Sequence, residues 1–307
     1  IKYRLYGTSD YGNSVDMILD TAKDGTIAFK GVERGQYILQ EYDCGDDWLM
    51  DPTEYNVTID ADGNTSVANG DYSTGVLTLT DAPRVHADVR FSKKNLVTSK
   101  NLGGAKFMLK GTSDYGNKVV KYATSSSTGI TGFPNIEKGT YDITEVETPN
   151  GYVRNDTVYT VVIDESGNYT MAVKSGDEDF IKVNGSTISV YNEPLHNVTI
   201  LKQNNYDYSA VEGVTFKISG TSDKGTAVDQ NQTTNKAGMA TFTGLESGTY
   251  TLVETATAEN ADGINVELDK TPRAVTVDKY GNVTIEENQI CSIDSRDIHC
   301  LHSDEDN

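Results

Sequence analysis

Apolar and polar residues alternate in short runs rich in Val, Ile, Thr and Tyr, and Gly, Asn and Asp break the runs at short intervals. Period-two alternation puts successive side chains on opposite faces of an extended strand, so the pattern predicts an all-β protein. The runs also repeat. Gly7-Thr8-Ser9-Asp10-Tyr11-Gly12-Asn13 returns as Gly111-Thr112-Ser113-Asp114-Tyr115-Gly116-Asn117 and as Gly220-Thr221-Ser222-Asp223-Lys224-Gly225. A second marker keeps the same spacing: Phe29 then Gly35-x-Tyr37-x-Leu39-x-Glu41, Phe133 then Gly139-x-Tyr141-x-Ile143-x-Glu145, Phe242 then Gly248-x-Tyr250-x-Leu252-x-Glu254. The third is an alternating strand running into a turn: Val57-Thr58-Ile59-Asp60 before Gly63-Asn64, Val161-Val162-Ile163-Asp164 before Gly167-Asn168, Val275-Thr276-Val277-Asp278 before Gly281-Asn282. Such strand-and-turn pairs read as hairpins. Asp60-x-Asp62-Gly63-Asn64 also matches the first half of a calcium loop, but the bidentate Glu of an EF-hand is missing and the hairpin accounts for the residues.

Repeats of about 100 residues with evenly spaced short strands suit tandem immunoglobulin-like β-sandwiches, each with its own core, arranged as a rod. Boundaries fall near Arg84 and Leu195. Residues 1–84 form a first repeat that opens in mid-pattern at Ile1-Lys2-Tyr3 and reads as N-terminally truncated; residues 85–195 form a complete one. Residues 196–290 form a third whose closing strand is not evident, and residues 291–307 an acidic tail. The joints, around Pro83 and Pro194, are short.

The alternation places polar side chains on apolar faces. In the opening strand of the middle repeat Val89, Phe91 and Lys93 share a face; in its central strand Tyr141, Ile143 and Glu145 do; in its last strand Ile188, Val190 and Asn192 do, against Thr187, Ser189 and Tyr191. A buried polar group costs kilocalories unless paired, so three of them call for a chemical reason. The third repeat repeats Lys202 and Glu254 and the first repeats Glu41, with Asp81 after Leu77 and Leu79. By analogy with Lys93 before Phe107, the first repeat's lysine falls ahead of Tyr3, outside this sequence.

On these residues the chain resembles the collagen-adhesin B-type (SpaA-like pilin) repeats of Gram-positive surface proteins. The likeness is carried by Val89-x-Phe91-x-Lys93, by Leu102-Gly103-Gly104-Ala105-Lys106-Phe107, by the Gly139-to-Glu145 marker with Pro149-x-Gly151-Tyr152, and by Val190-Tyr191-Asn192-Glu193-Pro194. It implies a spontaneous intramolecular isopeptide bond, with Lys93 as nucleophile, Asn192 as amide acceptor and Glu145 as the acid that donates to the Asn192 carbonyl and passes a proton to departing ammonia. The alternative is a buried Lys–Glu pair with Asn hydrogen-bonded nearby. In the outer repeats the resemblance extends to Glu41 and Asp81 and to Lys202 and Glu254. No Val-x-Asn-x-Pro follows the third repeat's hairpin, and Asp304 or Asn307, the substitutes for an acceptor there, stand where the alternation is poor.

Composition narrows the function classes. The 307 residues carry 26 Lys and Arg against 46 Asp and Glu, a net charge of −20, which argues against an electrostatic nucleic-acid binder. No apolar run is long enough to span a membrane. Cys44, Cys291 and Cys300 form no disulfide framework, and Cys291, His299, Cys300 and His302 match no common zinc spacing, so neither a metal nor another cofactor is expected. His86, His196, His299 and His302 accompany no nucleophile motif, which argues against an enzyme. The resemblance implies an extracellular, wall-attached stalk whose partners are adjacent domains of the same surface protein. A rival is a loop-borne adhesive site for host matrix or glycan, best placed at Trp48 beside Asp46 and Asp47; against it, Trp48 falls near the Tyr152 position and is expected to cover a sandwich edge.

Overall fold

The computed structural model describes residues 1–204, 207–257 and 268–286, with two further short strands at Ile293–Asp294 and Asp297–Ile298. No α-helix occurs among the described residues.

The first repeat contributes β1 (Lys2–Ser9), β2 (Ser14–Asp20), β3 (Gly35–Asp43), β4 (Tyr55–Ile59) and β5 (Thr65–Ala68), antiparallel in the order β2-β1-β3-β4-β5, and a separate hairpin of β6 (Asp71–Ser73) and β7 (Val76–Thr78). Leu5, Tyr37 and Val57 form its buried core, with Phe29, Val32 and Leu39 packed against them.

The second repeat is a two-layer sandwich. Its strands are β8 (His86–Asn95), β9 (Lys106–Ser113), β10 (Lys118–Thr124), β11 (Ile130–Glu137), β12 (Gly139–Glu147), β13 (Val158–Ile163), β14 (Tyr169–Ser175), β15 (Ile181–Asn184) and β16 (Thr187–Asn192). One sheet runs β10-β9-β12-β13-β14 and the other β11-β8-β16-β15. In the second sheet the first and last strands, β8 and β16, are parallel neighbours with Val190 opposite Lys93. Between the layers lie Val89, Phe91, Phe107, Leu109, Phe133, Tyr141 and Val161.

The third repeat follows the same plan with β17 (His196–Leu201), β18 (Thr215–Ser222), β19 (Ala227–Thr233), β20 (Met239–Leu245), β21 (Gly248–Ala256), β22 (Arg273–Val277) and β23 (Val283–Ile285). Its first sheet is β19-β18-β21-β22-β23. Its second is β20-β17-β25-β24, where β24 is Ile293–Asp294 and β25 is Asp297–Ile298; β25 lies parallel to β17 as β16 does to β8. The chain therefore builds tandem all-β domains. Backbone contacts group it into two compact units, one of Ile1–His86 with Glu165–Gly167 and the other holding the remaining described residues.

The repeated markers are structural devices. A Cβ on Gly111 would lie 2.7 Å from the Thr140 carbonyl and 2.8 Å from the Tyr141 ring, so only glycine lets β9 and β12 approach there. The marker tyrosines tie the chain back on itself: the Tyr37, Tyr141 and Tyr250 hydroxyls donate to the carbonyls of Glu33, Glu137 and Glu246 at 2.7, 2.8 and 2.7 Å. In the turns after β4, β13 and β22, Asp60, Asp164 and Asp278 each accept the backbone N–H of the asparagine four residues on, at 2.8 Å. The turn aspartates thus serve the hairpins.

Two features depart from strand parity. In β16 every residue from Ile188 to Asn192 is buried, because a 3₁₀ turn at Glu178–Phe180 brings Phe180 over Tyr191 and Leu96 on the face expected to be outer. The joint between the second and third repeats is also more specific than its length suggests. The buried Glu193 carboxylate accepts the Ser247 N–H at 2.8 Å, and Lys279 sits 2.6 and 2.7 Å from Asp177 and Asp179. Tyr280 donates to Asp179 at 2.7 Å. His196 is buried at this joint against Gly281, where an added Cβ would lie 2.8 Å from Nδ1, so it is a packing residue.

Candidate functional site

The candidate site lies between the two sheets of the second repeat, at the end where β8, β12 and β16 converge. Alternation along β8 sends Ala87, Val89, Phe91 and Lys93 inward, and the Lys93 side chain is wholly buried. Its backbone is held on both sides: the Lys93 N–H donates to Gly129 O at 2.7 Å and its carbonyl accepts Leu102 N–H at 2.8 Å. Gly129 has φ of 76°, and a Cβ there would stand 2.6 Å from the Lys93 carbonyl. The parallel register with β16 then delivers Asn192, also wholly buried, beside it.

Glu145 arrives from the facing sheet. It pairs with Phe107 on β9, and the register slips immediately afterwards, Val146 being the extra residue of a β-bulge. The same slip follows Glu41 and Glu254. Bulges of this kind re-aim side chains beside functional sites.

The three polar groups meet. Lys93 Nζ lies 2.9 Å from Glu145 Oε2 and donates to Asn192 Oδ1; Asn192 Nδ2 donates to Glu145 Oε1 at 2.7 Å. Lys93 Nζ also stands 5.5 Å from the centre of the Phe107 ring. Burial pulls the Lys93 ammonium down to about 8, and the Glu145 carboxylate opposes that shift without cancelling it. One expectation is corrected here. The Asn192 carbonyl faces the lysine, not Glu145, and Glu145 meets the amide nitrogen instead. With lysine as the donor on one side and a carboxylate acceptor on the other, this is the amide orientation that satisfies both ends.

The outer repeats hold parts of the same arrangement. In the third, Lys202 Nζ lies 2.8 Å from Glu254 Oε2, but the lysine side chain is 23% exposed. Asp304 and Asn307 lie outside the described residues, as do Cys291, His299, Cys300 and His302. In the first, Glu41 is buried, and its carboxyl is pushed up by burial, against the Asp51 N–H it accepts, with Asp81 and Asp51 adding to the rise. Glu41 and Asp81 are therefore close enough to interact, and Tyr3 stands opposite Glu41 where Phe107 and Phe216 stand opposite the other two acids. Trp48 bridges to Pro83 as Tyr152 bridges to Pro194, so the two do occupy matching positions; Trp48 remains 40% exposed. Cys44 is buried and donates to Gly45 and Trp48 carbonyls.

Thr148, one residue beyond β12, was not singled out by the alternation. Its hydroxyl donates to Glu145 Oε1 at 2.8 Å. The matching positions are Cys44 in the first repeat and Thr257 in the third. A threonine three residues after the acid in both repeats whose lysine lies within this sequence is the signal that points to it.

Comparison with known proteins agrees with this architecture. The SpaA family, described as a prealbumin-like fold domain, matches residues 2–72, 87–177 and 196–289. The serine-aspartate repeat-containing protein D of Staphylococcus aureus (strain Newman) is 24% identical over 274 residues, covering 80% of this chain and 20% of that protein. The chain thus spans about a fifth of the length of such curated relatives. Among solved structures, the major pilin subunit BcpA of Bacillus cereus is similar at 14% identity, covering 90% of each chain with a TM-score of 0.32. A C-terminal fragment of the pilus adhesin SpaC from Lactobacillus rhamnosus GG is similar at 20% identity, covering 63% of this chain and 88% of the fragment with a TM-score of 0.32. With the family matched in three successive segments, the chain belongs to the SpaA prealbumin-like fold family as a tandem of collagen-adhesin B-type domains.

Proposed function

We propose that the chain is a structural spacer segment of a Gram-positive cell-surface adhesin or pilin-like protein, each repeat being one domain bounded near Arg84 and Leu195. In this reading the middle domain closes itself with a Lys93–Asn192 isopeptide bond. The observation that carries it is the mutual contact of three fully desolvated groups, an amine, a carboxamide and a carboxylate, on the first, last and central strands.

The chemistry balances without a cofactor. Glu145 takes a proton from the Lys93 ammonium, and the freed amine attacks Asn192 Cγ. The Nζ–Cγ bond forms, Glu145 returns protons from Nζ to Nδ2 in turn, and the Cγ–Nδ2 bond breaks. Ammonium and carboxamide become a secondary amide and an ammonium ion. Folding supplies the proximity, which in well-oriented model reactions is worth about 7–11 kcal/mol of barrier. The event occurs once per chain and acts on no external substrate.

A link between the first and last strands lies on the path of tension through the domain. The partners of such a spacer are adjacent domains of the same surface protein, and its place is the bacterial exterior, as for the pilus and surface proteins to which the chain is similar. Intact mass under denaturing conditions tests the bond: a deficit of one ammonia in the parent, absent in Lys93→Ala, is expected, and full mass in the parent overturns it. A second reading, adhesion to a glycan or matrix protein, draws on the exposure of Trp48 beside Asp46 and Asp47. Binding on a glycan array that is lost in Trp48→Ala would establish it.

A further inference from the structure

Three buried glutamates occupy equivalent places in the three repeats; each has one oxygen without a hydrogen bond among the described residues, and they differ in what the other oxygen accepts. Among the described residues, Glu41 Oε1 and Glu254 Oε1 are buried without a hydrogen-bond partner. Glu145 Oε1 accepts two hydrogen bonds, from Asn192 Nδ2 at 2.7 Å and from Thr148 Oγ1 at 2.8 Å, while Oε2 accepts no hydrogen bond and meets only Lys93 Nζ, as an ion pair at 2.9 Å. Three residues after the acid, the first and third repeats carry Cys44 and Thr257. The Cys44 thiol turns away to the Gly45 and Trp48 carbonyls, and Thr257 leaves Glu254 Oε1 unpartnered.

We infer that Thr148 is a positioning residue for cross-link formation in the middle repeat, holding the plane of the Glu145 carboxylate so that it faces the attacking and the leaving nitrogen at once. The last torsion of a glutamate is broad, so packing alone does not define that plane. Swung out of it, the carboxylate keeps one nitrogen and loses the other, and proton transfer between them lapses. The bulge at Val146 makes the contact possible, because the extra residue turns the chain so that the side chain just past β12 reaches back to Glu145. It does not compel the contact: the third repeat has both the bulge and the threonine, yet among the described residues its acid accepts a hydrogen bond from the lysine alone. The hydroxyl engages where the amide is also in place. Thr148 is only partly buried, so its hydroxyl is not required to satisfy an otherwise dry core.

The inference rests on the isopeptide reading, and its test separates the two. The full chain is made by cell-free synthesis, sampled with time into denaturant, and weighed intact. Thr148→Val keeps the shape without the hydroxyl; loss of ammonia is expected to slow about tenfold, a barrier change of roughly 1.4 kcal/mol. Thr148→Ser restores the hydroxyl and the parent rate. In a Lys93→Ala background, where no bond forms, Thr148→Val is expected to leave the melting temperature of the unlinked domain nearly unchanged. A parent rate in Thr148→Val, or a Thr148→Ser variant as slow as Thr148→Val, overturns the positioning role while leaving the bond intact. Full mass in the parent overturns the bond and the role together.

Discussion

In the second repeat the opening-strand lysine is wholly buried and touches both an acid and an amide. In the third, Lys202 keeps its acid, Glu254, at a similar distance but leaves 23% of its side chain exposed, and meets no amide among the described residues. The two repeats share strand order, the bulge after the acid, the threonine three residues past it, and the glycine that holds the lysine's backbone, Gly129 and Gly238. What separates them is the closing strand, which in the second repeat brings Asn192, and the partners of the acid: Glu145 accepts from an amide and a threonine and pairs with its lysine, whereas Glu254 accepts from its lysine alone among the described residues. A common sandwich therefore brings lysine, glutamate and threonine to one end. Among the described residues, the three-group contact appears only where the last strand supplies the amide.

The sharpest way to break this comparison is to remove the lysine from each repeat. Lys93 and Asn192 are 99 residues apart, and by analogy with a disulfide closing a loop of that size the proposed bond would be worth about 4–5 kcal/mol. Lys93→Ala should thus lower the melting temperature of its repeat by more than about 15 °C, at roughly 4–8 °C per kcal/mol, besides restoring full mass. Glu145→Gln keeps the volume and removes the proton carrier, so ammonia loss should slow by about 10²–10⁴-fold. Its pH dependence sharpens the assignment. Below about 8 Lys93 carries its proton; above it that proton is lost, and with it the proton that Glu145 would pass to the leaving nitrogen. The parent rate should fall as pH rises through about 8. A rate that rises there would mean the free amine reacts without help from Glu145. The smallest effect belongs to Lys202→Ala, which should leave the mass deficit untouched and cost less than the roughly 3–5 kcal/mol of a fully buried pair, because Lys202 reaches solvent.

Much of this was legible in the sequence because parity is a strong constraint. Lys93, Glu145 and Asn192 could be assigned to inner faces from alternation alone, and the three spaced markers revealed the tandem before any strand was placed. What parity could not reach was geometry finer than a face. The Asn192 amide orientation depends on which donor stands on each side of it. The burial of Ser189 and Tyr191 depends on a 3₁₀ turn that has no period-two signature. Thr148 depends on a bulge, which shifts parity by one and so hides the contact from any count of alternating positions. Its recurrence as Thr257 marks the position but not the contact, which only one of the two repeats makes. The joint depends on Lys279 and Tyr280 at the tip of a turn whose counterparts carry Ala61-Asp62 and Glu165-Ser166.

The parallel pairing of β8 with β16 also sets a clock. Synthesised or exported N-terminus first at about 5–20 residues per second, the chain presents Lys93 some 5–20 s before Asn192 follows it. Through that interval the lysine is a solvated ammonium, inert toward amides. Only arrival of the final strand strips its water, seats it against Glu145 and supplies the carboxamide. The proposed bond would then be a receipt for completed folding: a repeat that stalls, is clipped, or mispairs its last strand would stay unmarked and open to proteolysis.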